Sequence, residues 1–190
     1  MKKLLFVLMG MGMASSSWAA GDFYKIDPAH SFAHFDVDHL NFTTLKGRFD
    51  QTDGRLMIDK KNNNGFVQAK IAAVSVNTGF GKRDEHLRSP DFLNVTEFPN
   101  IVYESTSLKI NADGKTAVVH GNLTLLGTTK PVQLDVTSIR CGINPMNKKE
   151  TCGFEAKTSI KRSDFGSTYG LPGVGDQLQL WFGIEAIKED

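Results

Sequence analysis

Arg83-Asp-Glu-His-Leu-Arg-Ser-Pro-Asp-Phe-Leu-Asn-Val-Thr-Glu-Phe-Pro99 interrupts a chain that elsewhere alternates like β-strand. From Lys82 to Ser89 there is no Gly or Pro and helix formers prevail; Pro90 and Pro99 then punctuate the ten residues after Ser89. Apolar Leu87 lies among charged Arg83, Asp84, Glu85 and Arg88, which predicts one short amphipathic helix. A single helix of that length cannot cover the apolar face of a large sheet. The strands must therefore cover one another.

Strict alternation marks those strands. Ala33, Phe35 and Val37 share one parity, as do Val67, Ala69 and Ile71. The same holds for Val119, Gly121, Leu123 and Leu125, and for Val132, Leu134 and Val136. Phe154, Ala156, Thr158 and Ile160 form another set, and Leu178, Leu180, Phe182 and Ile184 the last. A period of two gives one dry face and one wet face. Asp53-Gly54, Asn62-Asn-Asn-Gly65, Asp113-Gly114 and Gly127-Thr-Thr-Lys-Pro131 supply turns between the runs. The pattern predicts an all-β fold of about eight antiparallel strands, either a closed barrel or a sandwich. An eight-stranded barrel either fills its lumen or holds one small ligand, and periodicity leaves both open.

The ends and the composition add limits. Lys2-Lys3, an apolar run from Leu4 to Ala14 and small residues through Ala20 are expected to form a secretory signal peptide, cleaved after Ala19. Residues 20–190 then form one domain. Loss of the leader turns a formal charge of +1 into −1, so nucleic acid is not an expected partner. Cys141 and Cys152 flank a turn-rich loop; in an exported chain an even pair suggests a structural disulfide across a hairpin end.

Four segments resemble the YceI-like family of exported lipid-binding proteins. They are Asp27-Pro-Ala-His-Ser-Phe-Ala-His-Phe-Asp-Val-Asp-His39 with Gly47-Arg-Phe49, the Arg83–Pro99 stretch running into Tyr103-Glu-Ser-Thr-Ser107, Gly121-Asn-Leu-Thr-Leu-Leu-Gly-Thr-Thr-Lys-Pro-Val132, and Lys161-Arg-Ser-Asp-Phe-Gly166. The resemblance implies a closed lipocalin-like antiparallel β-barrel with a helix near one end. It also implies a periplasmic protein whose long lumen takes a polyisoprenoid, such as a quinone or polyprenol tail, or a related fatty amphiphile. No other cofactor is expected. Transient contact with a membrane or a membrane redox protein, and a homodimer, stay open as partners.

Parity and bulk select Phe35, Val37, Phe49, Ile71, Leu123, Leu134, Phe154, Leu180 and Phe182 as lumen residues that meet a ligand. His39, Arg83, Asp84, His86, Arg88 and Asp91 are expected to gather as a polar latch between helix and barrel mouth, with a role toward a headgroup left open. His30, His34, Asp36 and Asp38 share parity on one strand; the solvated outer wall is favoured over a metal site, because ligation needs neighbouring strands as well. Arg162-Ser-Asp-Phe-Gly166 builds a turn, with Phe165 as an end plug, or serves as a flexible lip. Trp181 has the parity of the outer wall. Two rivals to a carrier are an enzyme acting through His39, Asp84 and His86, and an interaction protein whose barrel is filled by its own side chains. No nucleophile elbow or zinc-protease pattern supports the enzyme.

Overall fold

The computed structural model describes residues 21–190, so the expected leader, residues 1–19, lies outside the described residues. Along the chain come β1 (Asp22–Ile26), β2 (Phe32–His39), β3 (Thr43–Phe49), β4 (Thr52–Asp59) and β5 (Asn64–Ala72). After a 3-10 turn at Ala73–Ser75 come β6 (Val76–Asn77) and the helix α1 (Gly81–Arg88). The rest is β7 (Asn100–Ile110), β8 (Ala117–Leu125), β9 (Thr128–Ile143), β10 (Glu150–Lys161) and β11 (Val174–Lys188). All pairings are antiparallel, and β11 pairs with both β1 and β2, closing an eight-strand barrel. Three walls are each broken in two: β1 with β2, β3 with β4, and β5 with β6.

A broken wall strands backbone groups, and serines mend two of the three breaks. Beside β11, Ser31 is fully buried and its hydroxyl donates to the Glu185 carbonyl while accepting from the Glu185 N–H. Between β3 and β4, the Ser75 hydroxyl accepts from Gln51 N–H and donates to the Ala72 carbonyl, and the Ser75 carbonyl accepts from Asp50 N–H. Each replaces ladder bonds whose loss would leave unpaired polar groups inside the wall.

Two strands also change phase. In β7 the register slips between Ser105 and Ser107, and in β9 between Val136 and Ser138. Each bulge carries a threonine, Thr106 and Thr137, whose hydroxyl donates to a carbonyl of the next strand, His120 or Glu155. Inward parity therefore runs Ile101, Tyr103, then Leu108, Ile110 in β7, and Val132, Leu134, Val136, then Ile139, Cys141 in β9. An extra residue bends the strand and keeps the apolar side facing in.

The two ends differ. At one lie α1, the β2–β3 and β8–β9 turns and the long β10–β11 connection. At the other, Cys141 and Cys152 are cross-strand partners joined by a disulfide. Beside them Tyr24 is fully buried and donates to Glu150, which also faces Lys60 and Lys188. Partial burial opposes ionisation of Glu150, but the Tyr24 hydroxyl and the two lysines outweigh it and hold the carboxyl below its ordinary range.

A depressed carboxylate stabilises the fold above its unfolded pKa and loses that contribution as pH falls through its folded value. Glu150→Gln is expected to melt lower than wild type at about pH 7, with the gap closing below the ordinary glutamate range. Thermal melts of both proteins from about pH 7 to about pH 3 check this; a gap independent of pH counts against the network.

Candidate functional site

The barrel is not filled by its own side chains. Inside it runs a cavity of about 520 Å³, within the usual range for small-molecule sites. Its lining is overwhelmingly hydrocarbon because the inward parity of every wall is apolar. All nine residues expected in the lumen line it: Phe35 and Val37 from β2, Phe49 from β3, Ile71 from β5, Leu123 from β8, Leu134 from β9, Phe154 from β10, and Leu180 and Phe182 from β11. Along β9 and β11 the inward residues Leu134, Leu178, Leu180 and Phe182 are only half-buried, since they face space and not one another.

Two glycines let aromatic rings lie flat against the wall. A Cβ on Gly47 would fall 2.3 Å from the Phe35 ring, and one on Gly121 would fall 2.5 Å from the Tyr103 ring. Phe35 also packs against Phe49, ring centres 5.8 Å apart. The Tyr103 hydroxyl donates to the Val132 carbonyl at 3.1 Å and lies 3.3 Å from that of Val119. Burial pushes its pKa up to about 12, so it stays a neutral donor. An aromatic over a glycine recovers packing that the missing side chain forfeits.

Near the helix end the lining turns polar at Arg162 and Ser167. Arg162 is buried, and its guanidinium donates to the carbonyls of Ser167, Tyr169, Val174 and Gly175. Desolvation lowers its pKa, with Asp176 opposing. The Asp176 carboxylate in turn accepts from the Ser163 N–H and hydroxyl. Phe165 is buried in the main apolar cluster, and the turn closes with Gly166 at φ +88°, in the left-handed region. The Arg162–Gly166 stretch is therefore a bonded hub, not a loose lip.

The expected polar latch assembles only in part. Arg83 donates to the Thr78 hydroxyl and carbonyl, Asp84 accepts from the Thr78 N–H and hydroxyl, and Arg88 donates to the carbonyls of Val74 and Val76. These three tie α1 to residues 74–78. His86 and Asp91 pair at 2.9 Å on the surface, where His86 also meets Phe92 and Tyr169 edge-on. His39 stands apart at the end of β2, opposite Thr43 and Val174. Among the described residues it shares no hydrogen bond or ion pair with the others: its strand neighbours are Thr43 of β3 and Val174 of β11, and α1 does not pair with β2. The expected amphipathic helix also differs: its buried side chain is Asp84, and Leu87 is half-buried against the lumen.

The row of alternating acids and histidines on β2 lies on the outer wall. His34 and Asp38 are exposed and Asp36 pairs with Lys46. His30 pairs with Asp27, which raises the imidazole pKa and lowers that of the carboxyl. Trp181 is exposed on the same wall, opposite His34 and Lys157. Arg162, read from the sequence as part of a turn, and Tyr103 line the cavity without being among the residues expected there. Arg162 extends the inward series Phe154, Ala156, Thr158, Ile160 by one step, so parity alone pointed to it.

Comparison with known proteins agrees with this geometry. Residues 24–186 match the model of a YceI-like domain. A "UPF0312 protein" of Pseudomonas aeruginosa is 37% identical over 191 residues, spanning 99% of this chain and 98% of that protein. Among solved structures, BcnA of Burkholderia cenocepacia superposes with a TM-score of 0.73 at 23% identity, over 84% of this chain and 98% of that one. A polyisoprenoid binding domain from Saccharophagus degradans gives 0.62 at 16% identity, over 87% and 98%.

Arg162→Met is expected to destabilise the protein by about 2–4 kcal/mol, because buried carbonyls lose their donor. Limited proteolysis should then cut within residues 167–173 before the barrel unfolds. Arg162→Lys should recover only part of the loss, since one ammonium cannot span four carbonyls.

Proposed function

Since the chain belongs to the YceI-like family, we propose that it is a periplasmic carrier that holds the tail of a polyisoprenoid, such as a quinone or polyprenol, within its barrel. The observation that carries this reading is the long cavity walled by hydrocarbon from every strand around the ring. The fold neighbour described as a polyisoprenoid binding domain supports the class of ligand. In this reading residues 1–19 are removed on export, no covalent step occurs and no other cofactor takes part. His39, Asp84 and His86 do not converge as an acid–base set.

Burying about 20 tail carbons at ~0.8 kcal/mol each gives ~16 kcal/mol gross. Ordering the chain offsets most of it, and about −0.3 kcal/mol per atom leaves ~6 kcal/mol, a Kd of tens of micromolar. Phe35, Val37, Phe49, Ile71, Leu123, Leu134, Phe154, Leu180 and Phe182 supply this burial. Longer tails bind more tightly by burying more surface.

Native mass spectrometry of protein isolated from its own host, followed by lipid extraction, is expected to show one lipid of defined mass near unit stoichiometry. Leu134→Trp should keep the melting temperature within a few degrees and weaken binding of a geranylgeranyl probe at least about tenfold. A folded Leu134→Trp variant with wild-type affinity, or a native preparation free of lipid, would overturn the carrier reading.

A further inference from the structure

Large apolar side chains left in solvent are distributed unevenly over this barrel. Of the nine exposed ones among the described residues, six belong to the helix end: Leu40, Phe42, Val74, Phe80, Tyr169 and Leu171. Phe42 is 85% exposed. The opposite end carries only Ile143 and Met146, both on the disulfide-stapled hairpin, and the wall carries Trp181. The six come from separate segments: the β2–β3 turn, the 3-10 turn after β5, the residue before α1 and the β10–β11 connection. Exposed apolar surface gathered from several segments marks a contact site.

Two of the turns at this end present leucine at a conformational cost. Leu40 has φ +57° and Leu126 has φ +51°, a region that Gly or Asn occupies with less strain. Leu126 lines the cavity and Leu40 stands outside it, half exposed. Apolar side chains also lead from the cavity to the exposed rim. Cavity-lining Phe92 packs on exposed Tyr169 at 5.2 Å between ring centres, and cavity-lining Val174 lies beside Gly170, next to Leu171.

The charges of this end are mostly engaged within the protein. Arg83, Arg88 and Arg162 spend their donors on backbone carbonyls, Asp84 is held by Thr78, His86 pairs with Asp91, and Lys46 pairs with Asp36. Among the described residues Lys82, Lys130 and Lys161 form no ion pair at this end, and neither do Asp38, Glu85, Glu97 and Asp164. With four free acids against three free lysines, this end has no bias toward an anionic surface.

We propose that the helix end is a membrane-docking rim, whose protruding side chains enter the interface of a phospholipid bilayer and join the barrel's apolar cavity to the lipid phase. This rests on the carrier reading. A tail dissolved in a bilayer then passes into the lumen along hydrocarbon, without crossing water. Neutral lipid suffices, because insertion and not charge supplies the attraction.

The test compares the processed protein with the Phe42→Asp/Phe80→Asp variant, neither residue lining the cavity. Flotation with phosphatidylcholine vesicles is the first readout, the rate of loading with a fluorescent geranylgeranyl lipid from those vesicles the second, and equilibrium binding of dissolved farnesol the third. Wild type is expected to float without anionic lipid and at high salt. The variant should lose at least about tenfold in flotation and loading rate, with farnesol affinity unchanged. Wild type that stays off neutral vesicles, flotation that needs phosphatidylglycerol and disappears in salt, a solution dimer abolished by the variant, or unchanged loading overturns the rim. Wild type that floats but binds no farnesol keeps the rim and overturns the carrier reading.

Discussion

One edge of β11 meets two different partners, β2 over Val174–Gly183 and β1 over Ala186–Lys188, and the step between them falls at Glu185. Ser31 fills it, offering a donor and an acceptor to the same residue from one hydroxyl. Without that bridge the Glu185 N–H would be left unpaired at the closure, at a cost of about 1–3 kcal/mol, while its carbonyl would keep only the Asp27 N–H. Closure is what frees the sheet of exposed edges and turns six sets of alternating apolar residues into a common interior. Everything further in, including the cavity, depends on a circle that has been completed.

The two ends then take up different tasks. At the stapled end, Tyr24, Cys152 and Ala186 are fully buried and a set of ionised groups surrounds Glu150. At the helix end, arginines are consumed by carbonyls: Arg83 and Arg88 bind α1 to residues 74–78, and Arg162 gathers the β10–β11 connection. Planar guanidinium groups suit this work because each serves several acceptors at once: two carbonyls for Arg88, four for Arg162, a carbonyl and a hydroxyl for Arg83. The result is a firm base and a firmly held collar around the lumen.

Much of this was legible in the residues. The period of two in β8, β10 and β11 gave the right inward faces directly, since those strands run without a phase change among the residues concerned. The helix was placed within one residue of Gly81–Arg88 by the absence of Gly and Pro. What escaped was non-local. The bulges at Thr106 and Thr137 reverse parity partway along β7 and β9, and nothing in a single strand announces an extra residue opposite its neighbour. The broken walls depend on which strand lies alongside, as do the mending roles of Ser31 and Ser75. Residue type alone groups His39 with His86; the fold gives His39 the strand neighbours Thr43 and Val174 and gives His86 the ion pair with Asp91, and a single segment announces neither.

Gly47 and Gly121 hold a further consequence. Neither presents a side chain to the cavity, yet each sets how closely Phe35 or Tyr103 hugs the sheet. Exchanging Gly47 for alanine would push the Phe35 ring toward the barrel axis and narrow the bore by roughly the width of a methyl group; at Gly121 the same Cβ would also meet the Glu104 carbonyl at 2.6 Å, so the wall itself would have to shift. Calibre is thus governed from behind the lining, so a lineage can drift from bulky to slender cargo while every residue that touches the cargo stays the same.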